Sequence, residues 1–128
     1  MQIIVVTAAI IQNEGKILLA QRRKDSHQGL KWEFPGGKLE FGESPEECLV
    51  REIREELDIN IKVKGIFQVV SHIYGERQVI LLCYLCQLDQ GQIKPKECQD
   101  FCWVEKQDLL KYDLAPADIP VAKQLAIS

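Results

Sequence analysis

Glu52, Glu55 and Glu56 stand at i, i+3 and i+4, a spacing that puts three carboxylates on one side of a helix. Like charges so spaced each cost about 0.2–0.5 kcal/mol in an isolated helix, so the arrangement is mildly unfavourable as pure architecture. A cation relieves that cost. Carboxylate oxygens suit a hard divalent ion, Mg2+ or Mn2+, and the natural substrate of such a site is a phosphate anhydride. The three belong to a stretch of 23 residues, Gly37 to Ile59, that also holds Glu43 and Arg51. Runs of Arg and Glu on a helix usually mark a solvated face. Here the acidic face carries no Lys at i+4 to neutralise it.

The elements that must position these groups can be read from their neighbours. Ser44-Pro45-Glu46-Glu47 is a helix start, with a cap, a proline suited to the first turn and a Ser-x-x-Glu capping box. The helix runs to about Leu57, and Val50, Ile53 and Leu57 are expected on the stripe that faces a core. Arg51 and Arg54 project to a third side, where Arg51 can reach Glu47 or Glu55 and orient the carboxylates by charge-assisted hydrogen bonds. Gly36-Gly37-Lys38 reads as a turn before the helix, where bare backbone can approach a ligand closely. It is not a Walker loop, since Leu39 stands where Ser or Thr would be needed.

With 128 residues the chain is read as one domain, 1–128, able to bury its own core. A composition 46% hydrophobic and 27% charged is that of a globular protein. The net charge of −3 argues against long nucleic acid held by a basic surface. Five cysteines, an odd number, point to a reducing compartment and a cytoplasmic location. Cys83 and Cys86 lie in one apolar strand and face opposite ways, which excludes a shared metal. The run Met1–Ile11 lacks a positive n-region and is too short to span a bilayer, so it reads as a buried strand, and no membrane partner is expected.

Strand-like runs at Ile3–Gln12 and Lys16–Gln21 flank the hairpin signal Asn13-Glu14-Gly15. Arg22 to Pro35 reads as a polar loop with an apolar segment, Leu30–Phe34. After the acidic helix come strands at Ile61–Ser71 and Gln78–Leu88 around Gly75, a polar loop, and a short strand at Asp100–Val104. Short helices are expected at Glu105–Leu110 and Pro116–Ile127. This order is α+β, or mixed α/β.

The spacing from Gly37 to Ile59 resembles the Nudix box, the signature of hydrolases that act on a nucleoside diphosphate linked to another group. Asp58 stands where that family usually has glycine, at a helix end that favours a left-handed residue, a role Asp tolerates. The resemblance implies an α/β/α sandwich around a mixed sheet. The lead-in Trp32-Glu33-Phe34-Pro35-Gly36-Gly37-Lys38 is similar to that of the MutT-like branch, the 8-oxo-dGTP diphosphatase or CTP pyrophosphohydrolase type. It implies metal ligation by the Gly36 carbonyl with Glu52, Glu55, Glu56 and Glu97, a general base at Glu52 or Glu97, and Arg51 as their orienting partner. Glu43 would support the loop or the outer metal shell. Lys38 and Arg22 are implied phosphate contacts, and Asp118 matches a position set against the base, although it also suits a helix cap before Ile119. Phe34 and Leu30 could wall a base or be plain core. His27 and His72 match no ligand spacing.

The expected activity is Mg2+-dependent (or Mn2+-dependent) cleavage of a nucleoside triphosphate to monophosphate and diphosphate. The partner is a small nucleotide, of oxidised or modified purine or cytosine type. An ionised Asp118 would accept from cytosine or (oxo)guanine N–H groups and disfavour thymine and uracil. The alternatives are another diphosphate, such as a nucleotide sugar or an RNA 5′ end, and a domain that binds nucleotide without catalysis.

Overall fold

The β-branched run at the N-terminus becomes the central strand because both of its faces are buried. Ala8 and Ile10 enter one core while Ala9 and Ile11 enter the other. The computed structural model describes residues 1–128. In chain order the strands are β1 (Gln2–Asn13), β2 (Lys16–Gln21), β3 (Trp32–Glu33), β4 (Gly36–Lys38), β5 (Asn60–Tyr74), β6 (Arg77–Gln90) and β7 (Asp100–Glu105). The helices are α1 (Pro45–Leu57), between β4 and β5, and α2 (Ile119–Ala126), after β7. All seven strands form one mixed sheet. β1 runs parallel to β6 and antiparallel to β4 and the start of β2, while β5 pairs with the far edge of β6 and β7 with β2.

One helix covers each face of the sheet. Leu49, Ile53 and Leu57 of α1 pack on Ala9, Ile11 and Leu18. Val121, Ala122 and Leu125 of α2 pack on Ala8, Ile10 and Leu19, with Phe34 among them. Cys83 and Cys86 fall into these two separate cores. No helix is long and apolar enough to cross a membrane.

Several boundaries depart from the sequence expectations. Val50 is 38% exposed, and Leu49 takes its place on the buried stripe. Leu49, Ile53 and Leu57 repeat every four residues, which puts Val50 about 100° away around the helix. Gly36–Lys38 is a strand, not a turn, because Thr7 and Ala8 of β1 pair with Gly37 and Gly36. The loop from Arg22 contains β3, held by Ala20 and Gln21. The short helix expected at Glu105–Leu110 is a 3-10 helix one residue further on, Lys106–Lys111. The segment from Pro116 divides into a 3-10 turn, Pro116–Asp118, and α2.

The start of α1 forms as its sequence requires. Glu47 N donates to Ser44 Oγ at 3.1 Å, and Ser44 N donates to Glu47 Oε1 at 2.8 Å. Glu47 is thereby committed to the cap and does not meet Arg51. At the other end Asp58 is left-handed, with φ 59° and ψ 34°, and its N–H donates to Arg54 O at 3.0 Å. A side chain in that region is strained, and glycine is not. Asp58 gains only an exposed ion pair with Lys96 at 3.3 Å in return, worth little. Asp58→Gly should therefore raise stability by about 0.5 kcal/mol in urea unfolding. A loss of stability would mean that the Lys96 pair outweighs the backbone strain.

Candidate active site

The helical period that buries Leu49 and Ile53 also decides the fate of the acidic residues. Glu56 lies seven residues after Leu49 and three after Ile53, at the edge of the apolar stripe, and is only 7% exposed. Glu52 is partly buried, whereas the Glu55 side chain is 44% exposed. Arg51 ties the outer members together. Its Nη1 donates to Glu52 Oε1 at 3.0 Å and Glu55 Oε1 at 2.9 Å. Its Nε and Nη2 donate to the two oxygens of Glu43 at 3.0 and 2.7 Å. Hydrogen bonding from Arg51, aided by the Glu40 N–H, holds Glu43 at about 2. In turn Glu43, more than any other neighbour, pushes the Arg51 pKa up. Glu43 is thus an anchor for Arg51.

Glu52, Glu56, Glu97 and Gly36 line one cleft. Glu97 reaches it because Lys96 N and Glu97 N donate to Glu56 O at 2.9 and 3.4 Å, and Lys94 N donates to Leu57 O at 2.9 Å. The free carbonyls at the end of α1 therefore hold the loop before β7 in place. Gly36 is sterically required, and Gly37 leaves room for the Glu52 side chain. A Cβ on Gly36 would overlap the Thr7 carbonyl, and one on Gly37 would overlap the Glu52 carboxylate. Only bare backbone lets β4 run between β1 and the acidic helix.

Burial pushes Glu56 up to about 8, and the charges of Glu33, Glu52 and Glu97 push the same way, while the Gly36 backbone opposes them. Burial likewise raises Glu52, against the pull of Arg51. A buried carboxyl among other carboxyls, with one backbone carbonyl beside them, is a donor set that fits a hard divalent cation. As the side chains stand, no three acidic, histidine or cysteine groups converge tightly enough to enclose an ion. Glu55 is absent from the cleft lining, its carboxylate turned to Arg51. Of the five expected ligands, four line the cleft and Glu55 lies outside it.

A second hollow, a cavity of ≈ 200 Å³, adjoins this cleft and shares Arg22, Glu33 and Gly36 with it. Phe34 and Asp118 line it, and Lys38 stands on its wall. Leu30, the other expected apolar wall, is 43% exposed and takes no part. Arg22 is not a free loop charge. Its Nη1 donates to Glu33 Oε1 at 2.8 Å and its Nε to His27 O at 2.6 Å. Asp118 is 5% exposed and makes no cap bond to α2. Its Oδ1 accepts instead from Phe34 N at 3.2 Å. Burial first, then the charge of Glu33, pushes Asp118 well above the usual carboxylate range, with Phe34 N–H and Arg22 opposing. Burial raises Glu33 too, against the charge of Arg22. Against the expectation of an ionised Asp118, desolvation shifts the group toward the neutral acid, which can donate as well as accept.

Sequence reading assigned no role to Glu33, Tyr74 or Arg77, all of which line this cavity. Tyr74 accepts from Ala117 N at 3.1 Å and packs edge-on to His27. Glu33 carried a signal, an acid set between Trp32 and Phe34 in a strand-like run. Tyr74 and Arg77 lie far along the chain, and the pairing of β6 with β1, together with that of β5 with β6, brings them here.

A carboxyl whose folded pKa lies above its unfolded value loses stability as it ionises. For Glu56 that loss begins near pH 4.5 and is complete above about pH 8. Glu56→Gln keeps the shape and removes the charge. Without metal it should stabilise the protein at pH 8.5 by an amount on the order of 2 kcal/mol, and change little at pH 5. Glu43, held at about 2, stays ionised across this window. Urea unfolding in a chelator at both pH values reads the difference, and equal effects at both would contradict the buried-charge account.

Comparison with known proteins accords with this arrangement. A family model described as NUDIX domain matches residues 1–125. The chain is 42% identical over 121 residues to a CTP pyrophosphohydrolase of Escherichia coli, covering 94% of this chain and 90% of that one. It is 35% identical over 121 residues to an 8-oxo-dGTP diphosphatase of Escherichia coli, covering 94% of each. Among solved structures, a MutT NUDIX hydrolase from Burkholderia pseudomallei superposes with a TM-score of 0.87 at 29% identity, covering 97% of this chain and 98% of that one. With an acidic cleft beside a Gly36-Gly37 strand, and a family match along nearly all its length, the chain belongs to the Nudix family and is a Nudix hydrolase.

Proposed function

We propose that this enzyme hydrolyses nucleoside triphosphates to monophosphate and diphosphate with Mg2+, acting on cytosine or oxidised purine nucleotides in the cytoplasm. The observation that supports it is the shared wall of Arg22, Glu33 and Gly36 between an acidic cleft and a cavity of ≈ 200 Å³. That volume is below the ~300–1,000 Å³ of sites that enclose a whole drug-sized ligand, and it suits a single base. A base held against Phe34 and Asp118 would send its phosphates toward the carboxylates. The named relatives act on CTP and 8-oxo-dGTP.

In this reading Glu52, Glu56, Glu97 and the Gly36 carbonyl would hold the divalent ion, with Glu55 as a further ligand were it released from Arg51. A bound divalent ion supplies polarisation of the phosphate oxygens and a lowered pKa for the attacking water. Glu52 or Glu97 accepts the water proton. Arg51 keeps Glu52 in register through its bond to Oε1. Lys38, on the cavity wall, and Arg22 meet the phosphate charge, Arg22 after exchanging its Glu33 contact for the substrate.

Pyrophosphate release from a mixed nucleotide panel with Mg2+ tests the reaction. Release of inorganic phosphate, or activity confined to nucleotide sugars or RNA 5′ ends, would favour another diphosphate substrate, and no turnover would favour a binding domain. The base preference should depend on pH. Neutral Asp118 can donate to cytosine N3 while accepting from its amine, whereas the ionised form suits the paired N–H donors of guanine. The preference against thymine and uracil, argued from an ionised acid, does not carry over to the neutral one. As rising pH ionises Asp118, the ratio of kcat/KM for dCTP to that for 8-oxo-dGTP should fall about tenfold, the size expected for one mismatched buried polar contact. Asp118→Asn, fixed as donor and acceptor, should flatten the ratio. A wild-type ratio that does not change with pH would remove Asp118 from base selection.

A further inference from the structure

We infer that Arg23 is a positioning residue for Glu97, clamping the loop that carries this carboxylate to the cleft; the inference rests on the proposed role of Glu97. Arg22 and Arg23 follow β2 and point to different places. Arg22 turns to Glu33 in the base cavity. Arg23 lines the acidic cleft, where its Nε donates to Glu97 O at 3.1 Å and its Nη2 to Lys96 O at 2.9 Å. One planar guanidinium thus spans two successive carbonyls, a geometry that a lysine ammonium cannot reproduce.

The rest of the loop shows why a clamp matters. Its other ties are backbone bonds, from Lys94, Lys96 and Glu97 to the end of α1 and from Gln99 N to Gln21 O at 2.8 Å, and the exposed ion pair of Lys96 with Asp58. Arg23 is the one side chain from elsewhere in the protein that donates to residues 94–99. Glu97 faces Glu52 and Glu56 across the cleft, and like charges there push the loop outward. A charged donor on the loop carbonyls opposes that push. The position of Glu97 is then set by contacts to its own main chain, leaving both carboxylate oxygens free for the cleft.

The test compares Arg23→Ala, Arg23→Lys, Glu97→Gln and the double variant Arg23→Ala/Glu97→Gln. Mn2+ binding is measured without nucleotide, by electron paramagnetic resonance of the free ion, so that no contact between Arg23 and a phosphate contributes. kcat and KM are then measured with Mg2+. Loss of a group that orients metal ligands costs 10–100-fold, so Arg23→Ala should weaken Mn2+ binding and lower kcat by about tenfold. KM for the nucleotide should change less than about twofold, because uniform substrate binding is untouched. Arg23→Lys should recover only part of the loss. The double variant should be no worse than Glu97→Gln alone, since the clamp acts through Glu97. Multiplied losses in the double variant would overturn the inference. Unchanged Mn2+ binding with a raised KM would also overturn it, making Arg23 a direct substrate contact. If Glu97→Gln matches wild type while wild type releases pyrophosphate, the role of Glu97 falls, and the clamp with it, but the proposed reaction stands.

Discussion

A carboxyl group buried among other carboxyls is the constraint on which this structure turns. Glu56 sits at the margin of the apolar stripe of α1, where the period of the helix and the position of Leu49 and Ile53 leave it only the cleft as a route to solvent. Its neighbours across the cleft, Glu33, Glu52 and Glu97, carry the same sign. No hydrophobic or backbone requirement explains that arrangement, which destabilises the protein without a counter-charge. A site of this kind trades stability for the capacity to bind a cation.

The surrounding elements hold the uncompensated charge in place. Two glycines admit β4 between β1 and the helix, and side chains there would overlap Thr7 or Glu52. Arg51 spreads one guanidinium over Glu43, Glu52 and Glu55, so the outer carboxylates share its single positive charge while Glu56 pairs with no cation. The last carbonyls of α1, which any helix leaves free, are used to bind the loop bearing Glu97. Beyond Glu33 and Gly36 lies a cavity of mixed lining, with Phe34 and Leu81 beside Arg22, Arg77 and Asp118. Fold and site are thus one arrangement, with the helix that supplies the carboxylates also supplying the core.

Much of this was legible in the chain because it depends on local spacing. The capping box, the left-handed end at Asp58, the hairpin at Glu14-Gly15 and the opposed Cys83 and Cys86 follow from neighbours a few residues apart. The Nudix resemblance supplied the distant Glu97 and Asp118. What sequence reading missed depends on three-dimensional partners. Val50 and Leu49 are both apolar neighbours, and only packing against the sheet shows which one is inside. Glu55 shares a helix side with Glu52, yet the reach of Arg51 draws it outward. The protonation of Asp118 depends on desolvation and on Glu33, which local sequence does not reveal. Arg23 looks like any loop charge until its carbonyl partners, more than seventy residues later, are in place.

The central claim is that Glu56 is kept buried and unpaired so that the cleft can hold a divalent cation. Thermal unfolding of wild type and Glu56→Gln, with and without saturating Mn2+ at pH 8, tests it in one experiment. A ligand that binds only the folded state raises Tm according to its affinity. Wild type should gain several degrees from Mn2+, while Glu56→Gln should start higher without metal and gain little from it. Equal Mn2+ shifts in the two proteins, or none in wild type, would contradict the account.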